Sequence, residues 1–208
     1  MEGLLAQIES LKTGSVRHVI DGRASDFLSF RTAGSRALFQ ELSYCFLTAN
    51  FNALRSMKIQ EDVRDGFVTL PQESLAARLR EHGHRFPEAR AKYIVAARPH
   101  ADTLRQELDS FPDDASAREW VIQTFRGIGY KEASHFLRNV GYQNLAIIDF
   151  HIVDLLVRYR LISRPKTLTK NKYLEIEKVL SEIASRAGLT LAELDLYLWY
   201  LETGKVLK

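Results

Sequence analysis

Two glycines one residue apart, in Phe125-Arg126-Gly127-Ile128-Gly129-Tyr130-Lys131-Glu132-Ala133, constrain what this chain can fold into more than any other stretch. Upstream, Trp120, Val121, Ile122 and Phe125 recur at helical spacing; downstream, Ala133, Phe136, Leu137 and Val140 do the same. The segment reads as helix, tight hairpin, helix. Glycine accepts the backbone angles of a short turn and lets the main chain come close to another group. Amides at Gly127, Gly129 and the start of the second helix have no helical partner, and the helix dipole adds partial positive charge, which suits a phosphate. Lys131 stands in the first turn of that helix. It reads either as a solvated phosphate contact or as a nucleophile. Positive potential and partial burial lower an amine's pKa, and the neutral amine is the form that attacks carbon to give a Schiff base.

The 208 residues suffice for one domain or two small lobes. Hydrophobic residues make up 46% and charged residues 26%, an ordinary balance for a globular chain. A net charge of +3 leans toward polyanionic partners. The single cysteine, Cys45, excludes a disulfide framework and a four-cysteine iron–sulfur or zinc site; it falls in an apolar helix and reads as core. No apolar run reaches membrane-spanning length and no signal-peptide pattern opens the chain, so the expectation is an intracellular protein with no membrane partner.

In chain order, the pattern predicts a short helix over 1–12, a mixed stretch over 13–29 beginning with a turn at Gly14, and a strong helix over 35–50 with Leu38, Leu42, Cys45, Phe46 and Ala49 inward. Asn50 reads locally as the C-cap of that helix. Further helices are expected over 54–67 with a break at Gly66, over 72–82 ended by Gly83, over 88–97 and over 101–108. Arg85 and Phe86, in the loop before the 88–97 helix, could probe a duplex, or Phe86 could staple that helix with Arg85 solvated. His82 and His84 lie two apart without a metal-site pattern. Ser116 and Glu119 have capping-box spacing for the first helix of the hairpin unit, as do Thr190 and Glu193 for the last helix, over 190–201.

The apolar run Leu145-Ala146-Ile147-Ile148 feeds Asp149, which opens a helix over 151–161 carrying Ile152, Leu155, Leu156 and Tyr159. Asp149 is a good N-cap. A carboxylate held there by backbone amides also stays charged, and beside a lysine it could orient or deprotonate the amine and stabilise positive charge on a sugar carbon. His151 follows two residues later. Arg158, Arg160, Arg164, Lys166, Lys170 and Lys172 flank an expected loop at 163–169, either as a solvated surface or as sequence-independent phosphate contacts. A helix over 171–187 closes at Gly188.

The apolar-x-Gly-Ile-Gly-x-Lys-x-Ala pattern with helices on both sides resembles the helix-hairpin-helix element that grips DNA backbones, and its lysine stands where bifunctional DNA glycosylases carry their nucleophile. Together with Asp149, Leu47-Thr48-Ala49-Asn50, His84-Arg85-Phe86 and the tail Leu198-Trp199-Tyr200-Leu201-Glu202-Thr203-Gly204-Lys205-Val206-Leu207-Lys208, it resembles the second, archaeal and thermophile, family of 8-oxoguanine DNA glycosylase/AP lyases. The likeness runs from about Ser35 to the end. The Gly/Pro-rich loop usual in the wider superfamily before the aspartate is reduced to Gly141, which fits this narrower group.

The resemblance implies an all-α fold of two helical lobes, 1–34 with 147–208 and 35–146, with the active-site cleft between them. It implies Lys131 as Schiff-base nucleophile and Asp149 as its acidic partner. Lys208, Trp199 and Phe86 would contact the base, and Gly127, Gly129, Asn50 and Arg85 the DNA. The expected partner is double-stranded DNA containing 8-oxoguanine, bound by a monomer without cofactor or metal. Two readings stay open beside it: a helix-hairpin-helix glycosylase for another oxidised base, and a non-enzymatic DNA-binding module.

Overall fold

The computed structural model describes all residues 1–208. It is built from helices and connecting turns: α1 Glu2–Thr13, α2 Val16–Ser29, α3 Ser35–Thr48, α4 Ala53–Val63, α5 Gly66–Thr69, α6 Gln72–Glu81, α7 Pro87–Ala97, α8 Leu104–Asp109, α9 Asp114–Thr124, α10 Tyr130–Asn139, α11 Phe150–Arg158, α12 Lys170–Ala187 and α13 Leu191–Thr203, with 3-10 turns at Phe30–Thr32 and Arg98–His100. No helix is long and apolar enough to cross a membrane.

Two hydrophobic cores organise these helices. The first gathers buried residues from Leu38 to Leu145, with α3 at its centre. Of the eleven residues of α3 from Leu38 to Thr48, all but Gln40 are shielded from solvent, Cys45 among them. The second core joins Leu4, Ile8, Ile20 and Phe27 of α1 and α2 to residues 146–198. The chain thus crosses from one core to the other between Leu145 and Ala146, four residues before Asp149.

Several boundaries differ from expectation. Residues 16–29 form a regular helix, α2, although only Ile20 and Phe27 are buried while Val19 and Leu28 face solvent. Packing against α1 and α13 stabilises it where periodicity is weak. The expected helix over 54–67 is two helices; the break falls at Arg64, with φ +45, and Gly66 opens the short α5. Residues 101–103 of the helix expected over 101–108 form a turn that follows the 3-10 turn at Arg98–His100, and α8 begins only at Leu104. Ser116 does not cap α9. The Asp113 carboxylate does, accepting from the Ser116 amide at 2.7 Å. An acceptor-only carboxylate in extended backbone caps better than a hydroxyl one turn inside the helix. Glu119 is thereby free to pair with Lys170 at 2.8 Å and with the Tyr130 hydroxyl. At α13 the capping box of Thr190 and Glu193 is complete.

Candidate active site

The hairpin between α9 and α10 is set by its two glycines for different reasons. Gly127 has φ +95, and a Cβ there would lie 2.7 Å from the Tyr93 ring. Gly129 is the extended N-cap of α10 and no side chain makes a capping hydrogen bond there. The amides of Gly127, Gly129, Tyr130 and Lys131 donate to no group within the protein, so the hairpin presents unpaired donors at a helix N-terminus.

α10 divides its faces sharply. Ala133, Phe136, Leu137 and Val140 are buried in the first core. Lys131, Glu132, His135 and Arg138 line a cleft of about 840 Å³. Opposite them, the Ile147-Ile148 segment leads into α11. There Asp149 caps the helix, its Oδ1 accepting from the Ile152 amide at 3.1 Å. Lys131 and Asp149 therefore open onto one cavity from two different helix starts. Asp195 and Trp199, one turn apart on α13, form a third wall, and the tail through Lys205, Leu207 and Lys208 a fourth. The turn from Thr48 to Leu54 completes the rim.

Lys208 is anchored. Its Nζ donates to Glu41 Oε1 at 2.7 Å and to Gln60 Oε1 at 2.5 Å, and lies 4.6 Å from the centre of the Tyr44 ring. The Tyr44 hydroxyl donates to the Lys208 main-chain oxygen at 2.9 Å. Glu41 is buried and also accepts from Asn139 at 3.0 Å. Gly204, left-handed at φ +68, ends α13 and turns the tail back toward this network.

Asn50 follows α3 in left-handed backbone, φ 58, and lines the cleft. Its turn is clamped from behind: the Arg90 guanidinium donates to the Ala49 carbonyl at 2.6 Å, and His84 Nε2 reaches the Leu47 carbonyl at 3.0 Å. Because the Phe86 amide donates to His84 Nδ1, the His84 proton sits on Nε2. Burial lowers the His84 pKa and favours this neutral form. Phe86 and Arg85 lie outside the cleft wall. Phe86 is exposed, with Arg85 5.0 Å and Arg90 5.8 Å from its ring centre. His82 pairs with Asp62 at 3.1 Å. The basic stretch is largely neutralised, since Arg158, Arg164, Lys170 and Lys172 pair with Glu202, Asp154, Glu119 and Glu175.

Sequence reasoning missed four contributors. Arg138 and Asp195 form a buried pair at 3.0 Å across the two cores; burial, opposed by Arg138, pushes the Asp195 carboxyl up to about 6. His135 is buried among Tyr44, Arg138 and Lys131, and burial drives its pKa well down, so it is a neutral ring on the cleft floor. Phe150 stands 67% exposed beside Asp149, its ring 4.1 Å from that of His151, which meets Trp199 edge-on. A charged residue on an otherwise apolar helix face, as at Asp195, was the available signal.

An all-α pair of cores with a glycine hairpin, and a lysine and an aspartate lining one cleft, fits the helix-hairpin-helix class of DNA glycosylases. The family model described as 8-oxoguanine DNA glycosylase matches residues 20–189. A Korarchaeum cryptofilum protein named 8-oxoguanine DNA glycosylase/AP lyase is 48% identical over 209 residues, covering 100% of this chain and 99% of that one. The crystal structure of the Methanocaldococcus jannaschii 8-oxoguanine glycosylase/lyase with a 15-mer DNA containing 8-oxoguanine superposes with a TM-score of 0.96 at 48% identity, covering 99% of both chains. The Thermotoga maritima 8-oxoguanine DNA glycosylase superposes with a TM-score of 0.93 at 40% identity, over 100% of this chain and 99% of that one. The chain belongs to the 8-oxoguanine DNA glycosylase family.

Proposed function

We propose that this protein removes 8-oxoguanine from double-stranded DNA and then cuts the strand at the resulting site, as a bifunctional DNA N-glycosylase and AP lyase acting where the genome is held. The observation that carries the reading is the convergence of Lys131 and Asp149 on one cavity large enough for a nucleoside.

The hairpin amides and the Asn50 turn hold the backbone without reading sequence. The nucleotide rotates out of the stack, because its C1′ is unreachable inside it. The Lys131 amine attacks C1′ as the C1′–N9 bond breaks; its nitrogen becomes a secondary ammonium, and the proton that it releases passes through Asp149 to the departing base, which leaves as the neutral purine. The Asp149 carboxylate, oriented by the Ile152 amide, stabilises positive charge developing at the sugar before it takes up and relays the proton released by the adduct nitrogen. Ring opening gives a Schiff base between C1′ and Nζ. Loss of a C2′ proton then expels the 3′ phosphate oxygen in β-elimination.

8-Oxoguanine differs from guanine in carrying a hydrogen on N7, so a pocket that selects it needs an acceptor aimed there. Lys208, whose main-chain oxygen is fixed by Tyr44, supports that role, and Trp199 supplies an aromatic wall. Phe86 and Arg85, exposed behind the Asn50 turn, act on the duplex outside the cleft. Strand cleavage of an 8-oxoguanine duplex tests the reading: wild type cuts, while Lys131→Gln and Asp149→Asn bind the duplex and leave it intact. Cleavage by Lys131→Gln at the wild-type rate would overturn it, and cleavage only of a duplex with a different oxidised base would overturn the substrate.

A further inference from the structure

The stretch that delivers Asp149 has no secondary structure of its own, so something else must fix it. The Ala146 amide donates to Glu177 Oε1 at 2.9 Å. The Ile148 amide donates to the Tyr173 hydroxyl at 3.1 Å, and that hydroxyl donates to the Ala146 carbonyl at 2.7 Å. One phenol on α12 thus brackets Ile147 from both sides. Its single proton goes to the Ala146 carbonyl, the shortest of its contacts, leaving its oxygen to accept. Burial pushes the Tyr173 phenol far up, so the donor persists at any working pH.

The same cluster reaches the hairpin unit. Glu177 is held by Arg118 of α9 through two hydrogen bonds, at 2.6 and 2.9 Å. Arg118 also donates to Ser134 of α10 at 3.2 Å, and Ser134 lies 3.4 Å from the Tyr173 oxygen. Ser134 is one helical turn beyond Lys131. A buried, charge-assisted network therefore ties the helix bearing Lys131 to the irregular segment bearing Asp149.

We infer that Tyr173 is a positioning residue for catalysis: its hydroxyl, backed by Glu177 and Arg118, sets the place of Asp149 relative to Lys131. The inference rests on the assignment of those two residues above. Asp149 enters from a connection between two cores that has no helical hydrogen bonds of its own, and a misplacement of about 1 Å at a reacting centre can cost roughly a hundredfold in rate. Tyr173 is not among the residues that line the cleft; it acts through the main chain of Ala146 and Ile148.

The test is single-turnover excision from an 8-oxoguanine duplex, with the dissociation constant for the same duplex measured in parallel. Tyr173→Phe keeps the ring and removes only the oxygen. The expected result is a rate lowered roughly 10- to 100-fold, with duplex affinity within about twofold and the acid limb of the pH–rate profile displaced. Glu177→Gln, which loses the charge but not the shape, should give a smaller loss of the same kind and carries the test should Tyr173→Phe fail to fold. Tyr197→Phe, at another buried phenol of the same core, should keep the wild-type rate. A wild-type rate in Tyr173→Phe, or a rate loss matched by equal losses in affinity and melting temperature, overturns the inference. Asp149→Asn separates the two failures. If it is inactive while Tyr173→Phe is fully active, only the clamp falls; if it is fully active, the reading of Asp149 falls and the clamp with it.

Discussion

Replacing Glu41 with glutamine should separate base recognition from strand cutting. Glu41 Oε1 takes hydrogen bonds from Lys208 Nζ at 2.7 Å and Gln60 Nε2 at 3.0 Å, and Oε2 takes one from Asn139 at 3.0 Å. Glutamine keeps the volume and much of the hydrogen bonding but removes the charge that holds the ammonium. A hydrogen bond to a charged group contributes about 1.5–3 kcal/mol. Lys208 sits on a tail and can escape to water, so the loss appears as undocking of the tail rather than as a buried unpaired charge. At about 1.4 kcal/mol per tenfold, the docked fraction falls by tenfold to roughly a hundredfold. Single-turnover excision of 8-oxoguanine should fall by that factor. Incision of a preformed abasic site, which presents no base to recognise, should stay within about twofold. Equal losses on both substrates, or no loss on either, would refute the idea that the Glu41–Lys208 pair serves the base pocket.

Other residues give equally specific expectations. Gly127→Ala forces a side chain into left-handed backbone and against Tyr93, costing about 2–4 kcal/mol, whereas Gly129→Ala meets only Glu132 at 3.4 Å at an ordinary φ. Thermal melts should show a drop of roughly 5–15 °C for the first and little change for the second; matched melts would contradict the geometry. Asp195 has a folded pKa raised to about 6 from 3.8, so the fold favours its neutral acid. Its contribution is complete below about pH 4 and is lost as pH rises through 6, a swing of about 3 kcal/mol at 1.36 kcal/mol per unit. The melting-temperature difference between wild type and Asp195→Asn should therefore change from pH 4.5 to 7.5, and parallel curves would refute it. Arg118→Met strands Glu177 in the interior and should destabilise by about 3–5 kcal/mol in urea titration; a neutral result would mean that water compensates the carboxylate.

How much of this was legible in the sequence depends on how local the signal is. The faces of α10 follow from spacing alone, because one face must enter a core and the residues left over are charged. Asp149 was visible as an apolar run feeding a cap. α2 was not, because its inward face consists of little more than Ile20 and Phe27, so its helix depends on partners far along the chain. The cap of α9 was misplaced by one turn because two spacing rules competed and the stronger acceptor, Asp113, prevailed. The charged inner surfaces were invisible for another reason. Arg138 meets Asp195 57 residues away and Lys208 meets Glu41 167 residues away, and no periodicity encodes such pairings. Phe86, an aromatic in a suggestive loop, lies outside the cleft wall beside guanidinium groups, a placement that local spacing does not encode.

Borohydride trapping on a duplex carrying one 8-oxoguanine tests the central claim most directly, since reduction freezes a Schiff base as a covalent protein–DNA adduct. The account predicts an adduct with wild type that maps to Lys131, is absent from an undamaged duplex, and is lost in Lys131→Gln while duplex binding survives. An adduct of undiminished yield in Lys131→Gln, or one mapping to another lysine, would contradict it.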